Sequence, residues 1–210
     1  MRLPLAAVVV AALLASCGTV SGTASGPGAS APLGSATPST SPGSPSTIVD
    51  GRLLPCPPSD TSPALAAGGL PDLSLPCLDP GAGAQQVRLA GLRGKPLVLS
   101  VWASWCEPCR TELPAVAEVA KAAGDQVRFL GVDVEDQPGD ARALAGALGV
   151  RFNSVQDPDG ATKQELGWIG PPLTLFVDAG GHVVGRTIGS VGDAANLRSL
   201  IRKNLGVSVA

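Results

Sequence analysis

Two cysteines three residues apart, Cys106 and Cys109, stand where an apolar run gives way to a helical pattern. The run is Pro96-Leu97-Val98-Leu99-Ser100-Val101-Trp102-Ala103. The helical pattern is Thr111-Glu112-Leu113-Pro114-Ala115-Val116-Ala117-Glu118-Val119-Ala120. Between them lies Trp105-Cys106-Glu107-Pro108-Cys109-Arg110. A spacing of three is nearly one helical turn, so both sulfurs sit on one side of the first turn, close enough to bond. Unpaired N–H groups and the positive end of the helix dipole stabilise a thiolate there. The thiolate is the species that attacks disulfides. The spacing therefore predicts a redox pair; its bland alternative is an inert disulfide at a helix start.

The beginning of the chain sets the compartment. Arg2 is the only charge before an apolar run from Leu3 to Ala15. Thirteen residues are too few to span a bilayer and suit a signal-peptide core. The run ends in Leu14-Ala15-Ser16-Cys17, which looks like a bacterial lipobox, whose cysteine is lipid-modified and becomes the mature N-terminus. An ordinary secretory signal with an incidental cysteine is the alternative. Residues 1–16 are thus read as a lipoprotein signal peptide and Cys17 as the lipid attachment point. Two acyl chains on one cysteine give stable anchoring where a single chain is marginal. Loss of Arg2 takes the formal charge from −2 to −3. With no basic run, three Phe and no Tyr, nothing marks a nucleic-acid surface.

The chain holds five cysteines. With Cys17 lipidated and Cys106 paired with Cys109, Cys56 and Cys77 remain as a second pair, a structural disulfide that an extracytoplasmic setting permits. Such a bridge stabilises by about 3 kcal/mol on the chain-entropy model. Residues 17–47 carry the anchor and then only small residues, prolines, one Val and one Leu. They read as a linker with a coil reach of roughly 30 Å. Residues 48–72 form a Cys-containing extension. From residue 73 a globular pattern begins. Residues 73–78 and 86–89 alternate as a hairpin, with Pro76 marking an edge. Strands follow at 96–103, 127–134, 172–177 and 182–188. Helices are expected at about 107–122, 140–148, 161–166 and 194–203. The expected order is β-hairpin, βαβα, then ββα: an α/β fold with a central mixed sheet covered by helices on both faces.

These segments resemble the TlpA/ResA-type thioredoxin-fold family from about Leu70 onward. The resemblance rests on Leu92-Arg93-Gly94-Lys95-Pro96, on residues 102–112 around the cysteines, on Val132-Asp133, and on Pro172-Leu173-Thr174-Leu175-Phe176-Val177-Asp178. It does not extend to the linker or to Cys56. It implies a thioredoxin fold with an N-terminal β-hairpin extension. It also implies that Pro172 is the family's cis-proline beside the dithiol, with Pro171 preceding it. Cytosolic thioredoxins usually carry a buried acid where Ser100 stands. Glu112 matches an acid that ResA-type proteins bear just after the motif; a solvated helix glutamate is its plain alternative. Pro114 matches the family's helix kink.

Cys106, at the helix start, is the expected nucleophile; Cys109, one turn in, resolves the mixed disulfide. Pro108 rigidifies the first turn. Glu107 favours the helix N-terminus yet disfavours a neighbouring thiolate, which points to a reductant. Trp105 is read as a wall of a substrate groove, Trp102 as core, and Trp168 as either. His182 is the only histidine, which rules out His-rich metal sites and a Cys–His pair. Neither a C-x-x-C-H haem site nor a nucleotide-binding glycine motif is present, and no metal or cofactor is called for. Asp133, Glu135, Asp136 and Asp140 lack calcium-loop spacing and read as a solvated loop.

The expectation is a membrane-tethered, extracytoplasmic thiol–disulfide oxidoreductase. By resemblance its partners are protein disulfides, with apocytochrome c one candidate, and a membrane dithiol electron donor. The alternatives are a disulfide-forming oxidant with the same site and a non-catalytic binding lipoprotein. A peroxidase is disfavoured by the motif around the cysteines.

Overall fold

In a computed structural model the described residues are 53–79, 81 and 83–210. The expected signal peptide, the expected lipid site Cys17, the expected linker and the first residues of the expected extension lie outside them. The fold is organised by three strands that are mostly apolar and buried along all but one position: β3 (Leu97–Trp102), β4 (Arg128–Val134) and β6 (Leu173–Val177). A strand covered on both faces has no solvent side, so its sequence need not alternate. The edge strand β7 (Val183–Ile188) does alternate, with every second residue exposed. Together with β5 (Asn153–Asp157) these form a five-stranded mixed sheet of order β5-β4-β3-β6-β7. β3, β4 and β5 run parallel; β6 and β7 run antiparallel to β3 and to each other.

Three α-helices connect these strands, α1 (Glu107–Ala123), α2 (Pro138–Ala147) and α3 (Ala161–Leu166), and α4 (Ala194–Leu205) follows β7. α1 packs on α4, and α4 on β6 and β7. The expected hairpin is present as β1 (Ser74–Pro76) and β2 (Gln86–Arg88), paired antiparallel. The expected element order needs one correction. β5 stands between α2 and α3, where no strand was expected. Its residues, Asn153-Ser154-Val155-Gln156-Asp157, contain a single aliphatic side chain. Its pairing comes from neighbours distant in sequence: β4 on one side, Cys77 and Leu78 on the other.

The extension is part of the same core. Leu53, Cys56 and Leu70 are buried in it. Cys56 and Cys77 are disulfide-bonded, with Cα atoms 6.0 Å apart. The bridge lies over β5: the amide of Leu78 donates to the Ser154 carbonyl at 2.8 Å, and that of Leu54 to the Arg151 carbonyl at 3.0 Å. An open strand edge is thereby covered. In the centre of the sheet, Gly131 accepts close approach. A Cβ there would lie 2.3 Å from Ser154 Oγ and 2.6 Å from Trp102 Nε1.

Candidate active site

The first turn of α1 builds the site. Cys106 is its N-cap, held in extended conformation, and its sulfur accepts a hydrogen bond from the Cys109 amide at 3.2 Å. Two further backbone bonds fix it: its own amide donates to the Ala103 carbonyl, and its carbonyl accepts from the Arg110 amide. An amide aimed at the Cys106 sulfur favours its anionic form, as does the helix terminus. Pro108 occupies a first-turn position, where its missing N–H leaves no intrahelical bond unmade.

Cys106 and Cys109 are disulfide-bonded, with Cα atoms 5.3 Å apart. Cys109 is fully buried and Cys106 retains 4% exposure. An incoming sulfur therefore reaches Cys106 first. Glu107 is exposed, and Arg110 approaches it at 3.9 Å, which softens its charge next to the N-cap sulfur.

Several large apolar side chains are open to solvent. Trp105 is 55% exposed and its indole N–H donates to the Glu135 carbonyl at 3.0 Å. The Pro171–Pro172 peptide is cis, so the family-implied assignment falls on Pro172, at the entrance to β6. Ile169, almost wholly exposed, precedes it by three residues, and Ile188, also exposed, pairs with Leu173 at the same end of the sheet. Ile169 and Ile188 were not singled out from sequence; a lone isoleucine beside glycines and prolines carries no periodic signal. Trp102 and Trp168 are core residues. Trp168 has Lys163 over its ring at 5.7 Å and does not open onto solvent.

Glu112 lies one turn beyond Cys109, on the same helix side. It is 1% exposed, so the plain reading of a solvated glutamate is overturned. One carboxyl oxygen accepts from the Val191 amide at 2.8 Å; the other makes no hydrogen bond among the described residues. Burial holds its pKa above the ordinary carboxylate value, with Ser190 and Val191 pulling weakly the other way. Ser100 is buried in β3, and its hydroxyl finds no partner among the described residues.

The acidic stretch after β4 also departs from expectation. Asp133 is not in a solvated loop but inside β4, 1% exposed. Asp136 accepts from both the amide and the hydroxyl of Ser104, the residue two before Cys106. Only Glu135 and Asp140 of the four acids face solvent. The signal that could have separated them is Asp133's place between Val132 and Val134, inside an apolar strand pattern.

The family model described as AhpC/TSA matches residues 68–186. Two similar curated relatives are thiol:disulfide interchange proteins named DsbE. That of Xylella fastidiosa is 35% identical over 122 residues, covering 57% of this chain and 59% of the relative. That of Pseudomonas aeruginosa is 32% identical over 136 residues, covering 64% and 72%. The chain spans about six tenths of the length of the first such relatives. Among solved structures, MTB DsbF in its mixed oxidised and reduced forms superposes with a TM-score of 0.53. It is 29% identical and covers 61% of this chain and 95% of that one.

Proposed function

We propose, on the premise that this chain belongs to the AhpC/TSA family, that it is an extracytoplasmic thiol–disulfide oxidoreductase working through Cys106 and Cys109. The observation that carries this reading is the first turn of α1. A capping sulfur receives a backbone N–H, and its partner sulfur sits directly behind it in the core. The relatives named as thiol:disulfide interchange proteins support it.

In the reductive direction the Cys106 thiolate attacks one sulfur of a substrate disulfide. A Cys106–substrate bond forms, the substrate disulfide breaks, and the departing thiolate takes up a proton. Cys109, losing its proton, then attacks Cys106. The internal disulfide forms and the second substrate thiol is released. Buried Glu112, with one carboxyl oxygen outside any hydrogen bond among the described residues and a raised pKa, is suited to take the Cys109 proton. Trp105, Ile169 and Ile188 offer the apolar surface on which a protein substrate rests.

The direction we assign is reduction, with the potential nearer the thioredoxin value of about −270 mV than the DsbA value of about −120 mV. Its basis is Glu107 beside the capping sulfur, where a carboxylate disfavours a stable thiolate. Substrates in this reading are cysteines of secreted proteins, apocytochrome c among them, and a membrane dithiol carrier resupplies electrons. A diacylated Cys17 tethers the folded head. The test is insulin reduction with dithiothreitol, followed by equilibrium with glutathione. Turnover abolished by Cys106→Ser, with a potential at the reducing end, is the expected result. Turnover that survives Cys106→Ser, or a potential at the oxidising end, overturns the mechanism or the direction respectively.

A further inference from the structure

The C-terminal half of α1 borders a cleft of about 560 Å³ that is no part of the redox site. Neither Cys106 nor Cys109 lines it, and Ala120, on its wall, lies roughly 16 Å along the helix from Cys109. Sites that enclose small organic molecules run from roughly 300 to 1,000 Å³. The walls are largely apolar. Pro114, Ala117 and Ala120 line the cleft from α1, and the short alanine side chains leave its space open. Phe129 and Phe152, both buried, line it too, with ring centroids 6.4 Å apart, and so does Leu148 at the end of α2.

The charges around this apolar space do not balance. Lys95, Lys121, Arg128 and Arg151 line it against two acids, Glu118 and Asp125. Both acids are engaged: Asp125 is paired with Lys95 at 3.1 Å and Glu118 with Arg198 at 2.9 Å. Arg128 is partly buried, and its guanidinium makes no hydrogen bond or ion pair among the described residues. Exposed Lys121 has no partner among them either. Burial holds the pKa of Arg128 below the ordinary arginine value, with no acid set against it. A guanidinium drawn out of water without a counterion is costly. Its planar fork matches a carboxylate, which it can hold through two parallel hydrogen bonds.

We propose that this cleft is a binding site for an amphipathic monoanion, a carboxylate on an unbranched alkyl chain, with the tail on Phe129 and Phe152 and the headgroup on Arg128. An inorganic anion would leave the apolar walls in water, and an alkane would leave Arg128 bare. A molecule with both parts satisfies both. Lys121 adds a second positive charge near the headgroup, and the paired acids keep their own cations.

The test uses the full chain in its disulfide form, so its outcome is separate from any turnover by Cys106. Decanoate, kept below its micelle concentration, is titrated by calorimetry and by amide NMR. One molecule per chain is expected, with shifts at Ala117, Ala120 and Phe129 and none centred on Trp105, Ile169 or Ile188. Affinity is expected to rise about fourfold per methylene from octanoate to decanoate. Decanol, which has the tail without the charge, is expected to bind at least about tenfold more weakly than decanoate. Arg128→Gln should abolish that difference, Arg128→Lys should restore part of it, and Ala117→Leu should weaken both ligands by filling the cleft. Absence of saturable binding, shifts centred on Trp105, or decanol bound as tightly as decanoate overturns the proposal. So does self-association through this face, seen as a sedimentation coefficient that rises with protein concentration while the same amides shift. The wild-type comparison of decanoate with decanol decides alone if a variant does not fold.

Discussion

Replacing Asp133 with Asn should make the protein progressively more stable than wild type as pH rises, and the size of the effect follows from the site. The folded chain holds the Asp133 proton up to about pH 8, whereas the ordinary value for the group is 3.8. Between those values the folded state binds one proton more than the unfolded state. Stability therefore falls as pH rises through this window, by about 1.4 kcal/mol per pH unit, and stops falling above about 8. From pH 5 to 7 the loss is about 3 kcal/mol. Asn carries no titratable proton, which removes the slope. With a urea m-value of about 2 kcal/mol/M, the midpoint of the Asn variant should gain about 1.5 M on wild type over that interval. Glu112 is also raised and contributes a slope of the same sign, but it is present in both proteins and cancels. Asp72 and Asp178 are lowered, so their contributions change only below 3.8, outside the interval. The assay is urea unfolding of the disulfide-bonded protein, followed by circular dichroism at several pH values. A midpoint difference between variant and wild type that stays flat from pH 5 to 7 would refute the reasoning, because it would mean the buried carboxyl carries no extra proton.

Two further outcomes are expected. Replacing Cys56 and Cys77 together by Ser opens a bridge between residues 21 apart, worth about 3 kcal/mol of loop entropy. Calorimetry should show a melting temperature lower by about 6–12 °C for a domain of this size, and a fall under about 2 °C contradicts the account. Glu112→Gln keeps an acceptor for the Val191 amide but removes the buried acid. Thiol–disulfide exchange at pH 7 should slow roughly a hundredfold if Glu112 moves the Cys109 proton, and thiol titration curves identical to wild type would exclude it from the mechanism.

What could be read from the sequence divides along a physical line. The Cys106–Cys109 turn was legible because everything that defines it is local. A capping residue, a first-turn proline and a helical period all lie within twenty residues. β3, β4 and β6 were legible because burial on both faces writes itself as a mostly apolar run without strict alternation. β5 was not, since Asn153-Ser154-Val155-Gln156-Asp157 becomes a strand only when β4 and the Cys77 segment supply partners from outside. The same holds for the acids. Four of them within eight residues look like a solvated loop by composition. Sheet register instead places Asp133 between Trp102 and Gln156, and the turn after β4 carries Asp136 to Ser104. A carboxyl group becomes a proton holder or a solvated charge according to what stands on the neighbouring strand, and that neighbour is some thirty positions away in the chain. Gly131 was silent for the same reason. Its missing side chain is explained only by Ser154 and Trp102 crossing over it. The redox pair is thus a local motif. The clamp that presents it is tertiary, so the residues most able to adjust Cys106 are those that a search for motifs passes over.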